Sequence, residues 1–193
     1  QVDHRDSCCG SEARRLSTVS DSRREVLHLV SRFLGSIKPG APPASDVAWA
    51  DQHLTTGEQL LLRRMSNPDQ RHAIQVAQDV ASALPNADRP VMAAALLHDV
   101  GKVQCGFRTP LRVVATVLWS IVNDDVADDW LGERGVRRRL AEYRRHPEIG
   151  APLLTEAGAD PLTATWAADH HKPRGDWRID VALGDVLKRC DDD

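Results

Sequence analysis

Aromatic side chains are scarce in this chain. Trp 5, Phe 2 and Tyr 1 make up 4% of 193 residues, while 41% are hydrophobic. Leu, Val and Ala therefore supply most of the apolar surface, which suits helix packing better than a β-sandwich. An excess of one charge is also lacking: 25 Lys and Arg face 28 Asp and Glu, for a net charge of -3. No global basic field exists to attract nucleic acid or an acidic membrane, so small soluble ligands are the expected partners. The 4 cysteines (Cys8, Cys9, Cys105 and Cys190) form no C-x-x-C spacing. That excludes a zinc ribbon and a dithiol redox motif and fits a reducing cytoplasm. Long apolar runs are missing too. The longest, Val113 to Val122, is about half of what a membrane-spanning helix requires, and the first residues lack the basic-then-apolar layout of a secretory leader. A cytoplasmic protein of one ordinary domain is expected.

What is present is helical punctuation. Residues 1–24 are polar and without apolar periodicity, and read as a disordered extension. Residues 25–66 read as N-terminal helices and a linker packing on the core. Val26, Leu27, Leu29, Val30, Phe33 and Leu34 form a stripe ending at Gly35, and Lys38 to Pro43 is the linker. Ser45 or Asp46 can cap a helix through Asp51, and Thr55 with Glu58 resembles a capping box opening a segment to Met65. The core is expected over 67–193. Asn67-Pro68 starts a long helix carrying His72, and Pro90 starts a very apolar one that delivers His98 and Asp99 at its end. An apolar helix from Leu111 to Val122, an acidic connector from Asn123 to Asp129 and a basic run from Arg134 to Arg145 follow. Helices are then expected near Glu148–Ala157, Pro161–His170 and Val181–Asp191. No strand pattern and no internal repeat appear, so the fold class is all-α, a compact helical bundle.

Chemistry-bearing residues gather at the ends of these elements: His72, His98-Asp99, His146, His170-His171 and Asp191. Imidazole and carboxylate are ligands suited to Mn, Fe or Zn. Consecutive residues at a helix end project about a hundred degrees apart, so His98 and Asp99 can reach one ion if that end faces a cavity. Buried and unpaired, such groups would each cost roughly 2 kcal/mol or more, a cost that a bound ion removes.

The order His72, His98-Asp99-Val100-Gly101-Lys102, His146-Pro147-Glu148-Ile149-Gly150, His170-His171 and Asp191 resembles the HD domain superfamily of helical, metal-dependent phosphohydrolases. The resemblance spans about Asp69 to Asp191. It implies one or two divalent ions (Mn, Fe or Zn), with His72, His98, Asp99 and Asp191 as the basic set and Asp99 able to bridge. His146 and His170 match the additional ligands of binuclear members, and His171 a position that some use as well. A hydroxide held on the metal would attack phosphorus in a nucleotide or related phosphate ester or anhydride. Lys102, a donor without a lone pair, would contact substrate phosphate, and Arg144 or Arg145 could add to it. After the double histidine the chain has Lys172-Pro173-Arg174-Gly175-Asp176-Trp177. The cyclic-di-GMP branch has a Gly-Tyr-Pro loop there, so that substrate is disfavoured. Asp185 is the alternative to Asp191.

Plainer readings stand beside these. His4, His28 and His53 are expected to be structural or exposed. The arginines between 134 and 145 alternate with Leu140 and Tyr143 at helical spacing, which describes a solvated helix face better than a nucleic-acid contact. Trp177 is a core or rim residue, or a platform for a base. Two rival functions remain: a diiron oxygenase built on the same ligands, and a non-catalytic module that binds nucleotide or a partner.

Overall fold

The computed structural model describes residues 40–105 and 129–192, all of which lie in the second of two units into which the chain divides, 1–37 and 38–193. The described residues form an all-α bundle without strands. Its helices are α1 (Ala44–Asp51), α2 (Thr56–Arg64), α3 (Asn67–Ala83), α4 (Arg89–Leu97), α5 (Val136–Arg144), α6 (His146–Glu156), α7 (Pro161–Asp169) and α8 (Val181–Asp192). Short 3-10 turns follow α4 at Val100–Val103 and precede α8 at Arg174–Asp176. None of these helices is long and apolar enough to cross a membrane. The expectations for residues 1–24, for the stripe from Val26 to Leu34 and for the segment from Leu111 to Val122 fall outside the described residues.

Side-chain caps set where most helices begin. Thr55 and Glu58 exchange the two bonds of a capping box at α2, with Thr55 N donating to Glu58 Oε2 at 2.8 Å and Glu58 N to Thr55 Oγ1 at 3.3 Å. Ser66 opens α3, Asp88 opens α4 and Asp160 opens α7, each with a proline within the first helical positions, where a missing N–H costs nothing. At α1 the expectation fails by a residue or two. The helix begins at Ala44 after Pro43, with no side-chain cap, so Ser45 and Asp46 lie inside it. Pro43 fixes the extended entry geometry that a capping side chain would otherwise stabilise.

Helix α4 is the axis of the core. Every residue from Val91 to Leu97 is buried, as an apolar run without a polar face requires, and α2, α3 and α7 pack around it. Helices α6 and α7 lie against each other, and α8 lies on α3. These contacts bring the ends of α4, α6, α7 and α8 and an early turn of α3 to one place. The basic segment forms α5 as a solvated face, where Arg137 pairs with Glu133 at 3.1 Å and Arg138 with Glu142 at 2.9 Å.

Candidate metal centre

Helix α4 stops where its apolar run stops. His98 keeps helical dihedrals (φ -54, ψ -36) and Asp99 departs from them (φ -93, ψ 5) into the 3-10 turn. Both side chains are nonetheless buried, at 2% and 4% exposure. Helix α7 ends the same way, with His170 as its helical terminus and His171 just beyond. His146 opens α6, His72 sits early on α3, and Asp191 lies on the last turn of α8.

Two glycines let these ends meet. A Cβ on Gly101 would fall 1.9 Å from the carbonyl oxygen of His146 and 2.8 Å from the nitrogen of Gly150, and a Cβ on Gly150 would fall 3.2 Å from the nitrogen of Gly101. The backbone after Asp99 therefore rests directly on the first turns of α6, a distance that excludes a side chain at Gly101 and leaves little room for one at Gly150. As a result His146 Nε2 stands 3.0 Å from Asp99 Oδ1.

The other approaches centre on the same carboxylate. His170 Nε2 is 3.8 Å from Asp99 Oδ1, and His98 Nε2 is 3.6 Å from Asp99 Oδ2 and 3.3 Å from Asp191 Oδ1. Asp191 Oδ1 also lies 3.0 Å from His72 Nε2. Two groups of side chains could hold a metal ion: Asp99 with His146, His170 and His171, and His72 with His98 and Asp99. Asp99 belongs to both.

Ring orientation decides which nitrogen is offered. The Nδ1 atoms of His98, His146 and His170 lie 2.9, 2.7 and 2.9 Å from the carbonyl oxygens of Ala95, Tyr143 and Ala167, each three residues earlier. A carbonyl only accepts, so each Nδ1 carries a proton and donates it. The three Nε2 atoms are buried without a hydrogen-bond partner, and their approaches to carboxylates lack hydrogen-bond geometry. Lone pairs held against a carboxylate in this way call for a cation between them, a proton or a metal.

Electrostatics separates the histidines. Burial works to lower the His98 pKa, but the Asp191 and Asp99 carboxylates outweigh it and raise it to about 9. For His170 burial prevails, helped by its imidazole neighbours, and the value falls to about 4. Burial alone would raise Asp99, yet Lys102 and His98 hold it well below the usual carboxylate range. His98 can thus keep a proton as its cation, whereas His170 is neutral near pH 7 and can offer its lone pair to a metal.

No family model matches the chain, nor does any curated protein or solved structure.

Most of the site residues named from the sequence meet in one cluster. His72, His98, Asp99, His146, His170 and Asp191 converge as described. His171 is exposed, with its ring centroid 4.0 Å from that of His170 and 5.1 Å from that of His146. Lys102 donates to Asp99 Oδ2 and stands 5.6 Å over the Tyr143 ring. Arg145 Nη1 lies 3.3 Å from Glu148. Asp185, the alternative to Asp191, is engaged elsewhere, because Arg174 grips both its oxygens at 2.6 Å on the surface. Trp177 is no free platform for a base: its ring lies against Gly184, where a Cβ would come within 2.5 Å, and meets the Trp166 ring edge-on at 5.4 Å. Sequence reasoning passed over Asp169, which is fully buried beside the double histidine. Its signal was an acid at the end of an apolar helix with Lys172 and Arg178 close behind it.

Proposed function

We propose that the chain is a metal-dependent phosphohydrolase of the HD type, acting on a nucleotide or a related phosphate ester or anhydride. The observation that carries this reading is the set of three buried Nε2 atoms without a hydrogen-bond partner, each aimed by a carbonyl three residues back, that converge on Asp99. Imidazole nitrogen and carboxylate oxygen in that mixture suit Mn, Fe or Zn. His72, His98, Asp99 and Asp191 would hold one ion, and Asp99, His146, His170 and His171 a second. Bound there, the metal supplies a coordinated water ionised near neutral pH and a Lewis acid for phosphoryl oxygens.

The chain's own residues do the rest. The backbone carbonyls of Ala95, Tyr143 and Ala167 keep three imidazoles in one tautomer and aimed inward. The buried walls of α4, α6 and α7 keep bulk water from Asp99, so charge effects there are stronger than at the surface. Lys102, whose ammonium touches Asp99, can add positive charge to a phosphoryl oxygen brought to that carboxylate. Arg145 is the second candidate for that role.

Elemental analysis of the protein loaded with Mn, Fe(II) or Zn, followed by phosphate release from a nucleotide panel, tests the reading. Roughly two equivalents of metal with turnover is the expected result. Metal without turnover, but with oxygen consumption by the Fe(II) form, would instead favour a diiron oxygenase. Nucleotide binding without either reaction would favour a non-catalytic module, and no metal under any loading sinks the reading.

A further inference from the structure

Asp169 ends α7 and is fully buried, yet it belongs to neither group of candidate ligands. Its oxygens collect donors from one short loop. Arg178 gives Nη2 to Oδ1 at 2.8 Å, Nε to Oδ2 at 2.9 Å and its backbone N to Oδ2 at 3.0 Å, and Lys172 gives Nζ to Oδ1 at 2.7 Å. The Asp169 carbonyl also accepts from the Lys172 backbone N at 2.7 Å. His170 and His171 thus sit inside a turn that closes on Asp169 from both sides. Trp177 pins the same loop, since its indole N–H donates to the Lys172 carbonyl at 3.0 Å while its ring rests on Gly184.

We propose that Asp169, gripped by Arg178, is a positioning residue that sets the turn from which His170 and His171 reach the ion shared with Asp99 and His146; this rests on the metal reading above. The two histidines need it unequally. His170 is tethered through Nδ1 to Ala167, but His171 makes no hydrogen bond among the described residues. Its imidazole is therefore placed by the backbone turn, and the turn is closed by the clamp. A solvated Asp–Arg pair would contribute little. Here the carboxylate is buried and accepts a bidentate guanidinium, a geometry that fixes direction as well as charge. His72, His98 and Asp191 lie on α3, at the end of α4 and on α8, outside this turn. Only one of the two groups depends on the clamp.

The test is a titration with Mn(II) alone, read by electron paramagnetic resonance and calorimetry. It compares the unaltered full chain with Arg178→Gln and Arg178→Lys, and uses His146→Ala to mark which step belongs to the Asp99–His146–His170–His171 group. Arg178 is 61% exposed at its side chain, so these variants should fold. Arg178→Gln should weaken the marked step about 10- to 100-fold, the scale at which groups supporting metal ligands act, with the other step unchanged and part of the loss recovered in Arg178→Lys. Equal weakening of both steps together with a lowered Tm would show a merely structural pair and overturn the proposal, as would no change in either step. If the unaltered chain binds no Mn(II), the metal reading falls and takes this inference with it.

Discussion

The two halves of the cluster share Asp99 but are assembled differently. The half with His146 and His170 is made by backbone contact, because the turn after α4 rests on α6 through Gly101 and Gly150, and both imidazoles are buried. The half with His72 and Asp191 is made by side chains reaching across 119 positions of sequence, and its members are more open, with side-chain exposures of 32% and 13%. A backbone contact cannot relax without moving helices, whereas a side-chain contact can loosen by rotation. The first half is therefore the more rigidly assembled of the two, and the second the more adjustable.

Removing the shared carboxylate should erase the difference. Asp99→Ala is expected to lose both ions and to lower turnover by more than about a thousandfold, while circular dichroism still reports helices. Retained metal and turnover would overturn the site. Gly101→Ala should break one half only. Its Cβ would collide with the His146 carbonyl, a backbone atom that cannot swing aside, so an overpacking cost of about 1–3 kcal/mol is expected. The Tm should fall by roughly 3–10 °C. Metal analysis should find the ion of the His146 half lost and the other kept.

The smallest effect is a difference in pH response. Before an ion binds, His98 holds its proton up to about pH 9, so metal entering that half must displace it. Its apparent affinity should rise about tenfold per pH unit between pH 6 and 9 and then level off. His170, lowered to about 4, has no proton to give up over that range. Calorimetric titrations in buffers of different ionisation enthalpy would count the protons released. No proton released as metal enters the half with His98 would remove the contrast between His98 and His170.

Much of this architecture was legible in the sequence where local chemistry decides it. The run from Val91 to Leu97 has no polar face to expose, so its burial followed, as did the delivery of His98 and Asp99 at its end. Thr55 with Glu58, and the prolines at 68 and 161, marked helix starts that depend only on neighbouring residues. Asp191 was preferred to Asp185 through the resemblance of the segment ahead of it to the family's last helix, and the structure has Asp185 paired with Arg174. What stayed hidden depends on chain segments meeting in space. Gly101 stands just beyond an apolar helix, where a glycine is ordinary, and nothing local says that α6 will lie against it. Asp169 and Arg178, nine positions apart, look like ordinary surface polars until the loop folds back and buries one of them. Trp177 was open to two roles, and Gly184 on the next helix, by lacking a side chain, decided between them.

The contact between Gly101 and Gly150 also bears on engineering. A transplant of the seven candidate ligands into another helical scaffold would carry the residues without the spacing, because a side chain at Gly101 would strike the His146 carbonyl and hold the two segments apart, and one at Gly150 would crowd them. Asp99 would then no longer stand within reach of both groups of histidines. If the cluster holds metal as proposed, its smallest transferable unit includes two residues outside the ligand set.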